Sequence, residues 1–428
     1  MNKAIIFPMI WMWTISAFSQ NLTLSDAIQV ALENNPNIKI ARNNAATAEN
    51  NAWVGNAGLF PRFTLTAGAT YAEDGGQFSD NLSSTTTPTA QLQASYTLFD
   101  GLGNVYRFKS LQTGGTLGQT EAQLQIESII IQVAEGFFQG AQAFENYSIA
   151  QTLVRISNER YQRALNRSEY GRARMIDDLS ALVDLNADSV TLAQAALYWD
   201  QAVRSLNLLL FRDVQTPVNV DTSVTIFLHD DLTKLMEKAM SGSRALQAAR
   251  LRKQQARYNY ESAKAAHLPR LDLTASYGYM QVNPDFDLAF SDPVKTARLG
   301  ATFSLNLFNG FQTHIERQNA RRTYENQSLL AEQAALSIER DLSNALQAFE
   351  TSLTVHDLAK RSLQVAQLNF TRTKELYQLG QVTTTQFRES QLNLIRAQSQ
   401  VSSAKYETKL NELAIRQLTG ELVDWESE

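Results

Sequence analysis

Four segments of the chain alternate between apolar and polar residues. They are residues 63–71 and 92–98 in the first half, and 271–279 and 299–307 in the second. A period of two is typical of a β-strand with one apolar and one polar face. The polar face carries mainly Thr, Ser, Gly, Gln and Asn. The pattern predicts four strands, each close to the ~10 residues with which a tilted strand crosses a bilayer.

Two long tracts follow a different rule, with apolar residues at spacings of three and four. Neither residues 89–216 nor the chain after residue 293 contains a proline. The spacing is typical of amphipathic helices that pack as coiled coils. It predicts two rods, 106–170 and 312–379, of about 95–100 Å each at 1.5 Å per residue. Rods of this length cannot fold around a compact core.

Each rod leads into a turn and a second helix. The turns carry Gly171 and Gly380, and glycine tolerates the left-handed conformation that ends many helices. Amphipathic return helices are expected over residues 176–211 and 384–418. The two halves therefore each predict a helical hairpin.

A shorter helix is predicted at the start of each half, over residues 23–56 and 231–266. Thr, Ser and Asp residues at both starts can accept hydrogen bonds from the free backbone N–H groups. The segments between paired strands, 73–88 and 283–293, contain many turn-forming residues. They predict exposed loops.

The same motifs occur twice with a constant offset. Pro61 and Pro269, at the starts of two strands, are 208 residues apart. Gly101 and Gly310, at the strand-to-helix junctions, are 209 apart, as are the two turn glycines. An offset held over a hundred residues indicates a duplicated half-molecule rather than a solenoid of short repeats. We divide the chain into a first structural repeat at 20–215, a linker at 216–230, a second repeat at 231–420 and a tail at 421–428.

The N-terminus predicts a secretory signal peptide at residues 1–19. A basic start is followed by an apolar run from Ala4 to Ile15 and by small residues at Ala17 and Ser19. A short buried helix is the alternative. No later segment has the ~20 apolar residues of a membrane helix. We expect a protein beyond the inner membrane, which is either soluble there or spans a membrane with strands.

The amino-acid composition argues against several classes of function. The formal net charge is −5 without a basic block, which argues against nucleic acid as a partner. The chain has no cysteine and its four histidines are not at metal-ligand spacing, so no metal site is predicted. We find no catalytic constellation and expect no enzyme activity and no cofactor. Two functions remain possible: a passive export duct, and a periplasmic coiled-coil adaptor or scaffold. A secreted hydrolase is a third hypothesis, but the sequence shows no catalytic site for it.

Four strands cannot close a barrel within one chain. Open sheet edges in lipid would leave backbone groups unpaired at several kcal/mol each. Two copies would give eight strands with a filled interior, and three would give twelve. The polar inner face suits a wet lumen, which favours a homotrimer.

Taken together, the chain resembles the outer-membrane efflux (TolC-like) family. The resemblance rests on the Phe-Pro-Arg and Leu-Pro-Arg motifs at Pro61 and Pro269, the Leu-Phe-Asp/Asn-Gly motifs at Gly101 and Gly310, the proline-free rods and the glycine turns. It implies a mainly α fold with a trimeric 12-stranded β-barrel in the outer membrane and a periplasmic α-barrel. It also implies a periplasmic adaptor and an inner-membrane pump of the RND, ABC or MFS type as partners, and contact with outer-membrane lipid.

The resemblance further implies a gate at the periplasmic tip. It pairs Asp177 with Tyr377 as a tether, and it makes Gln386 and Glu389 the constriction. Ser180 is the first-half counterpart of Glu389, and Gly171 and Gly380 mark the tip that would dock the adaptor. Val382 replaces an arginine found in relatives with a strong gate. The alternative is that Asp177 and Glu389 are ordinary charges on solvated helix faces.

Overall fold

The computed structural model of the protein describes residues 21–75, 82–169, 175–227, 231–280 and 294–422. The predicted signal peptide, the turn residue Gly171, the end of the linker and most of the tail lie outside these ranges. Elements of the first half are α1 (Leu24–Asn34), α2 (Pro36–Asn51), β1 (Arg62–Gly75), β2 (Leu82–Phe99), α3 (Gly103–Glu169) and α4 (Met175–Leu209). Those of the second half are α5 (Leu232–Gly242), α6 (Arg244–Ala265), β3 (Arg270–Met280), β4 (Val294–Ser304), α7 (Gln312–Gln378) and α8 (Thr384–Thr419).

The predicted combination of long helices and four strands is confirmed. The two rods, α3 and α7, each contain 67 residues, and the order helix, helix, strand, strand, rod, return helix occurs twice. Among the helices within the described ranges, none is both long enough and apolar enough to cross a membrane.

The prediction of one continuous opening helix in each half was wrong. The first breaks at Asn35, whose side chain accepts a hydrogen bond from Asn37 N at 2.9 Å and so caps α2. Pro36 then occupies the first turn, where its missing N–H costs nothing. The second breaks at Ser243, between α5 and α6.

The four strands form one antiparallel sheet in the order β1-β2-β3-β4. Strands β1 and β2 extend into the predicted loop 73–88, so that Pro88 lies within β2 opposite Ala69. Pairing of β2 with β3 starts only at Thr89, so the missing N–H of Pro88 breaks no bond to β3. Strand β4 ends at Ser304, three residues earlier than predicted.

The helices are arranged side by side as a wall. Helix α3 packs on α4, α6 and α8, and α7 packs on α6 and α8. In the part of the wall next to the hairpin turns, here called the lower part, the order is α4, α3, α8, α7. In the part next to the sheet, here called the upper part, the order is α2, α3, α6, α7. The sheet continues the upper part, since each rod is the next element after a strand.

The main core lies midway along the wall. Its largest buried side chain is Phe137 on α3, which packs with Leu206, Leu210 and Leu413. The linker covers this core, because Val220 forms a parallel bridge with Leu22. The linker is thus part of the packed structure within the described residues.

Candidate gate and channel wall

The tip of the second hairpin is held by its own backbone and caps. Gly380 has φ 76°, the left-handed conformation that ends α7. Thr383 N donates to Gln386 Oε1 at 2.9 Å, and Gln386 N donates to Thr383 Oγ1 at 3.3 Å. The side chain of Gln386 is therefore used to cap α8.

Tyr377 is buried between the two hairpins. Its ring stacks on Phe387, with centroids 4.6 Å apart and planes 9° apart, and the guanidinium of Arg167 lies 5.7 Å from its centroid. Ile156 and Leu394 complete this apolar cluster. The ring anchors the end of α7 to both α3 and α8.

The other predicted gate residues lie within the first two turns of α4 and α8. Asp177 is half-buried, and Ser180 and Glu389 are exposed. Among the described residues, no hydrogen bond or ion pair joins Asp177, Tyr377 or Glu389 to one another. One chain brings these side chains to the same end of the wall without pairing them.

A buried ion pair that the sequence reasoning missed lies just above the tip. Arg388 on α8 donates to Asp188 on α4 through Nη1–Oδ2 at 2.6 Å and Nη2–Oδ1 at 2.7 Å. The carboxylate of Asp188 also accepts a hydrogen bond from Ser157 on α3. The side chain of Asp188 is 4% exposed, so these partners are needed to offset its desolvation.

The ion pair is part of a network that joins three helices. Asp184 accepts a hydrogen bond from Arg160 on α3 and lies 3.9 Å from Arg388 Nε. Gln391 Nε2 donates to Ser157 Oγ at 3.1 Å. The carboxylates raise the pKa of Arg388 against the lowering effect of its burial, so the guanidinium stays charged. The network fastens the second helical hairpin to the first.

One sequence signal could have indicated that a polar side chain is buried on α8, although not which partners it has. Phe387, Gln391 and Leu394 follow the apolar three-and-four spacing of α8, with a glutamine at the middle position. Gln391 is fully buried, and a buried amide requires polar partners.

The two lateral edges of the wall expose apolar residues at heptad spacing. On α4, Val183, Val190 and Leu197 are seven residues apart and more than half exposed. On α7 the same spacing separates Leu329 from Leu336 and Leu358 from Val365, all exposed. Seven-residue apolar spacing is the pattern of a coiled-coil seam.

The sheet also has an unpaired edge on each side, formed by β1 and β4. Its apolar face is open to the surroundings, as Leu299 at 86% and Phe63 at 68% exposure demonstrate. An exposed apolar face next to an opposite polar face fits a sheet between lipid and a wet lumen.

Comparison with known proteins agrees with this geometry. The sequence profile of the family described as "Outer membrane efflux protein" matches residues 27–210 and 235–421. The chain belongs to this family. The outer membrane efflux proteins are channels of the outer membrane that extend into the periplasm, and not enzymes. Of the two functions that the sequence left open, family membership therefore supports the export channel and not the adaptor or scaffold.

Individual relatives are distant but cover most of the chain. It is 22% identical over 418 residues to the outer membrane protein TolC of Escherichia coli, covering 95% of this chain and 84% of that protein. It is 22% identical to the alkaline protease secretion protein AprF of Pseudomonas aeruginosa over 71% of this chain and 65% of AprF. The Campylobacter jejuni CmeC outer membrane channel superposes with a TM-score of 0.80 at 18% identity, covering 93% and 86% of the two chains.

Within the described ranges, no group of three or more His, Asp or Glu side chains is arranged to hold a metal ion. Gly101 and Gly310 lie between the second strand and the rod of each repeat, with φ of 71° and 66°. Pro61 and Pro269 directly precede β1 and β3.

Proposed function

We propose that this outer membrane efflux protein is the exit duct of a tripartite efflux or type I secretion system. Three copies close a 12-stranded barrel and a helical tunnel, through which substrates pass outward without chemical change. A periplasmic adaptor and an inner-membrane pump of the RND, ABC or MFS type supply substrate and energy. One relative is named for alkaline protease secretion and another, ArpC of Pseudomonas putida, for antibiotic efflux, so the substrate does not follow from the family.

One observation carries the closed ring of chains. The two edges of the wall differ, with β1, α2 and α4 on one side and β4 and α7 on the other. Contact between unlike edges of identical chains produces a ring when the rotation closes. The exposed heptad residues on α4 and α7 are suited to form the seam of that ring.

In such a ring the tip residues come together around the axis. Three copies of Glu389 would form a carboxylate ring, which favours cations. Asp177, Ser180 and Gln386 would line the same constriction, and Tyr377 would tether the closed state through its hydroxyl group. The turns at Gly171 and Gly380 would meet the adaptor.

The test uses the full chain purified in detergent. We expect a native mass of three chains and stepwise conductance after insertion into planar lipid bilayers. Val190→Arg should prevent trimer formation by placing a charge in the seam, and Val190→Leu should preserve it. The proposal would be refuted if both the unaltered protein and Val190→Leu were monomeric and produced no conductance.

A further inference from the structure

The polar face of the sheet carries an uneven set of charges. In the pairing register, Thr64, Gln93, Ser276 and Arg298 lie in one row across the four strands. Residues two apart along a strand share a face, so Arg62 and Arg270 lie on the same face as this row. That face is opposite to the apolar face that carries Phe63 and Leu299.

Only one of these arginines is neutralised. Arg270 Nε donates to Asp272 Oδ2 at 2.7 Å, and Thr97 bridges the pair by accepting from Arg270 Nη2 at 3.0 Å and donating to Asp272 Oδ1 at 2.8 Å. Among the side chains that the structure describes, Arg62 and Arg298 form no ion pair. Within the described part of the sheet, each chain thus contributes two guanidinium groups without an ion-pair partner to the polar face.

Arg298 lies in small and neutral surroundings. Thr296 and Gly300 flank it on β4, and Ser276 faces it on β3. Asp272 is four residues along β3 from Ser276, about 13 Å away at 3.3 Å per residue, and is already paired with Arg270. The Arg298 side chain is exposed, so its charge acts on the space in front of the sheet.

The opposite face offers a natural contrast. Lys295 lies on β4 three residues before Arg298, which places it on the opposite face of the sheet. Its ammonium group lies 5.9 Å from the centroid of the Tyr279 ring. An amphipathic lysine next to a tyrosine on the apolar face fits the interface of a bilayer. Lys295 and Arg298 are thus cations of one strand on two different sides of the barrel wall.

We propose that Arg298, together with Arg62, makes the barrel lumen selective for anionic solutes. The inference rests on the proposed function, because three chains must close the barrel to turn these residues into rings. Arginine stays protonated in proteins, and rings of Arg or Lys select anions in pores. The barrel would then favour negatively charged organic substrates on their way out.

Ionic strength determines how far these charges act. The Debye length is about 10 Å in 0.1 M salt and about 30 Å in 0.01 M salt. Charges spread around a wide lumen are screened at the higher concentration and overlap at the lower one. Selectivity from Arg298 should therefore be strongest in dilute salt.

The experiment measures the reversal potential of trimers in planar bilayers under a KCl gradient at low ionic strength. All variants carry Glu389→Gln, so that the tip carboxylates do not mask the barrel. We expect Arg298→Gln and Arg62→Gln each to lower the chloride-to-potassium permeability ratio by about twofold, and less at 0.1 M salt than at 0.01 M salt. Arg298→Lys should retain the ratio, and Lys295→Gln should not change it.

A second measurement probes the barrel directly. Inositol hexakisphosphate is added on the side of the strand hairpins, and its block of the current is titrated. Arg298→Gln removes one guanidinium group from each of three chains. The loss of a single charge-assisted contact already corresponds to about tenfold, so the block should weaken at least tenfold. Wild-type trimers without conductance would overturn the proposed function. Conducting trimers whose permeability ratio and block are unchanged in Arg298→Gln and Arg62→Gln, or equally changed in Lys295→Gln, would overturn the inference alone.

Discussion

Arg388 holds both carboxylate oxygens of Asp188, at 2.6 and 2.7 Å, across the boundary between the two helical hairpins. The pair is separated by 200 residues in the chain. Arg388 lies four residues after the start of α8 at Thr384, a rise of about 6 Å at 1.5 Å per residue. The contact therefore limits how far the tip of the second hairpin can move from the first.

Replacing Arg388 by alanine should destabilise the protein and loosen the tip. The change leaves Asp188 buried without its counter-charge, which costs about 3–5 kcal/mol in comparable buried pairs. Urea unfolding of the trimer should show this loss, and single-channel conductance should rise. Arg396→Ala is the matched control, since Arg396 on the same helix is exposed and contacts only Asn393 in the described structure, at 3.3 Å. Equal stability of the two variants would contradict a fastening role.

Tyr377→Phe combined with Asp177→Ala should raise the conductance of trimers in planar bilayers. The phenyl ring can keep its stacking on Phe387, so the pair of substitutions removes the proposed tether and leaves the apolar anchor. Phe387→Leu serves as the comparison that disturbs the anchor. The tether assignment fails if the double variant conducts like the unaltered protein.

Glu127 should make stability depend on pH. Burial raises the pKa of this carboxyl from 4.5 to about 7, against the lowering effect of Arg244, whose Nε lies 3.9 Å away. The folded state then holds a proton that the unfolded state has lost, so stability falls as pH rises from about 4.5 to 7 and stays low above that range.

Glu127→Gln should remove this slope and stabilise each chain by up to about 3 kcal/mol at pH 8, as follows from the pKa change. Urea midpoints at pH 5 and pH 8 measure it. Glu121→Gln, one to two turns away at an exposed pair with Arg252, should have little effect at either pH. A slope that persists in Glu127→Gln would show that another group causes it.

Alanine at the two strand-to-helix junctions should have unequal effects. Both Gly101 and Gly310 have positive φ, which costs an L-residue roughly 1–2 kcal/mol. A Cβ at Gly101 would also lie 2.6 Å from Leu268 Cβ and 2.9 Å from Ala265 O, and at Gly310 it would meet nothing within 4 Å. We expect Gly310→Ala to lower the thermal unfolding midpoint modestly and Gly101→Ala to lower it much further. Similar midpoints would argue against the clash.

Periodicity was sufficient to predict the rods and strands because it depends on neighbours along the chain. Prolines and turn glycines then placed the ends of α3 and α7 within a few residues. The breaks at Asn35 and Ser243 were missed, although a residue before proline disfavours the helical conformation and Asn35 carried that signal. Strands β1 and β2 are longer than predicted, because the Ser and Thr residues that suggested a loop also fit a strand.

The network around Arg388 could not be predicted in the same way. Its members Ser157, Asp184, Asp188 and Arg388 come from three helices, and no local pattern relates their positions. Their pairing depends on how α8 packs against α3, which tertiary contacts decide. The resemblance to the efflux family predicts the gate residues near the two hairpin turns, which fixes their height on the wall but not their partners.

The free backbone groups of β1 and β4 have a consequence for biogenesis. A lone subunit that entered the bilayer would carry two rows of unsatisfied N–H and C=O groups into hydrocarbon. Insertion should therefore wait for, or accompany, encounter with sister subunits. The rate at which folded channels appear should then rise more steeply than linearly with the amount of newly exported polypeptide, and scarce expression should leave subunits stranded at the membrane surface.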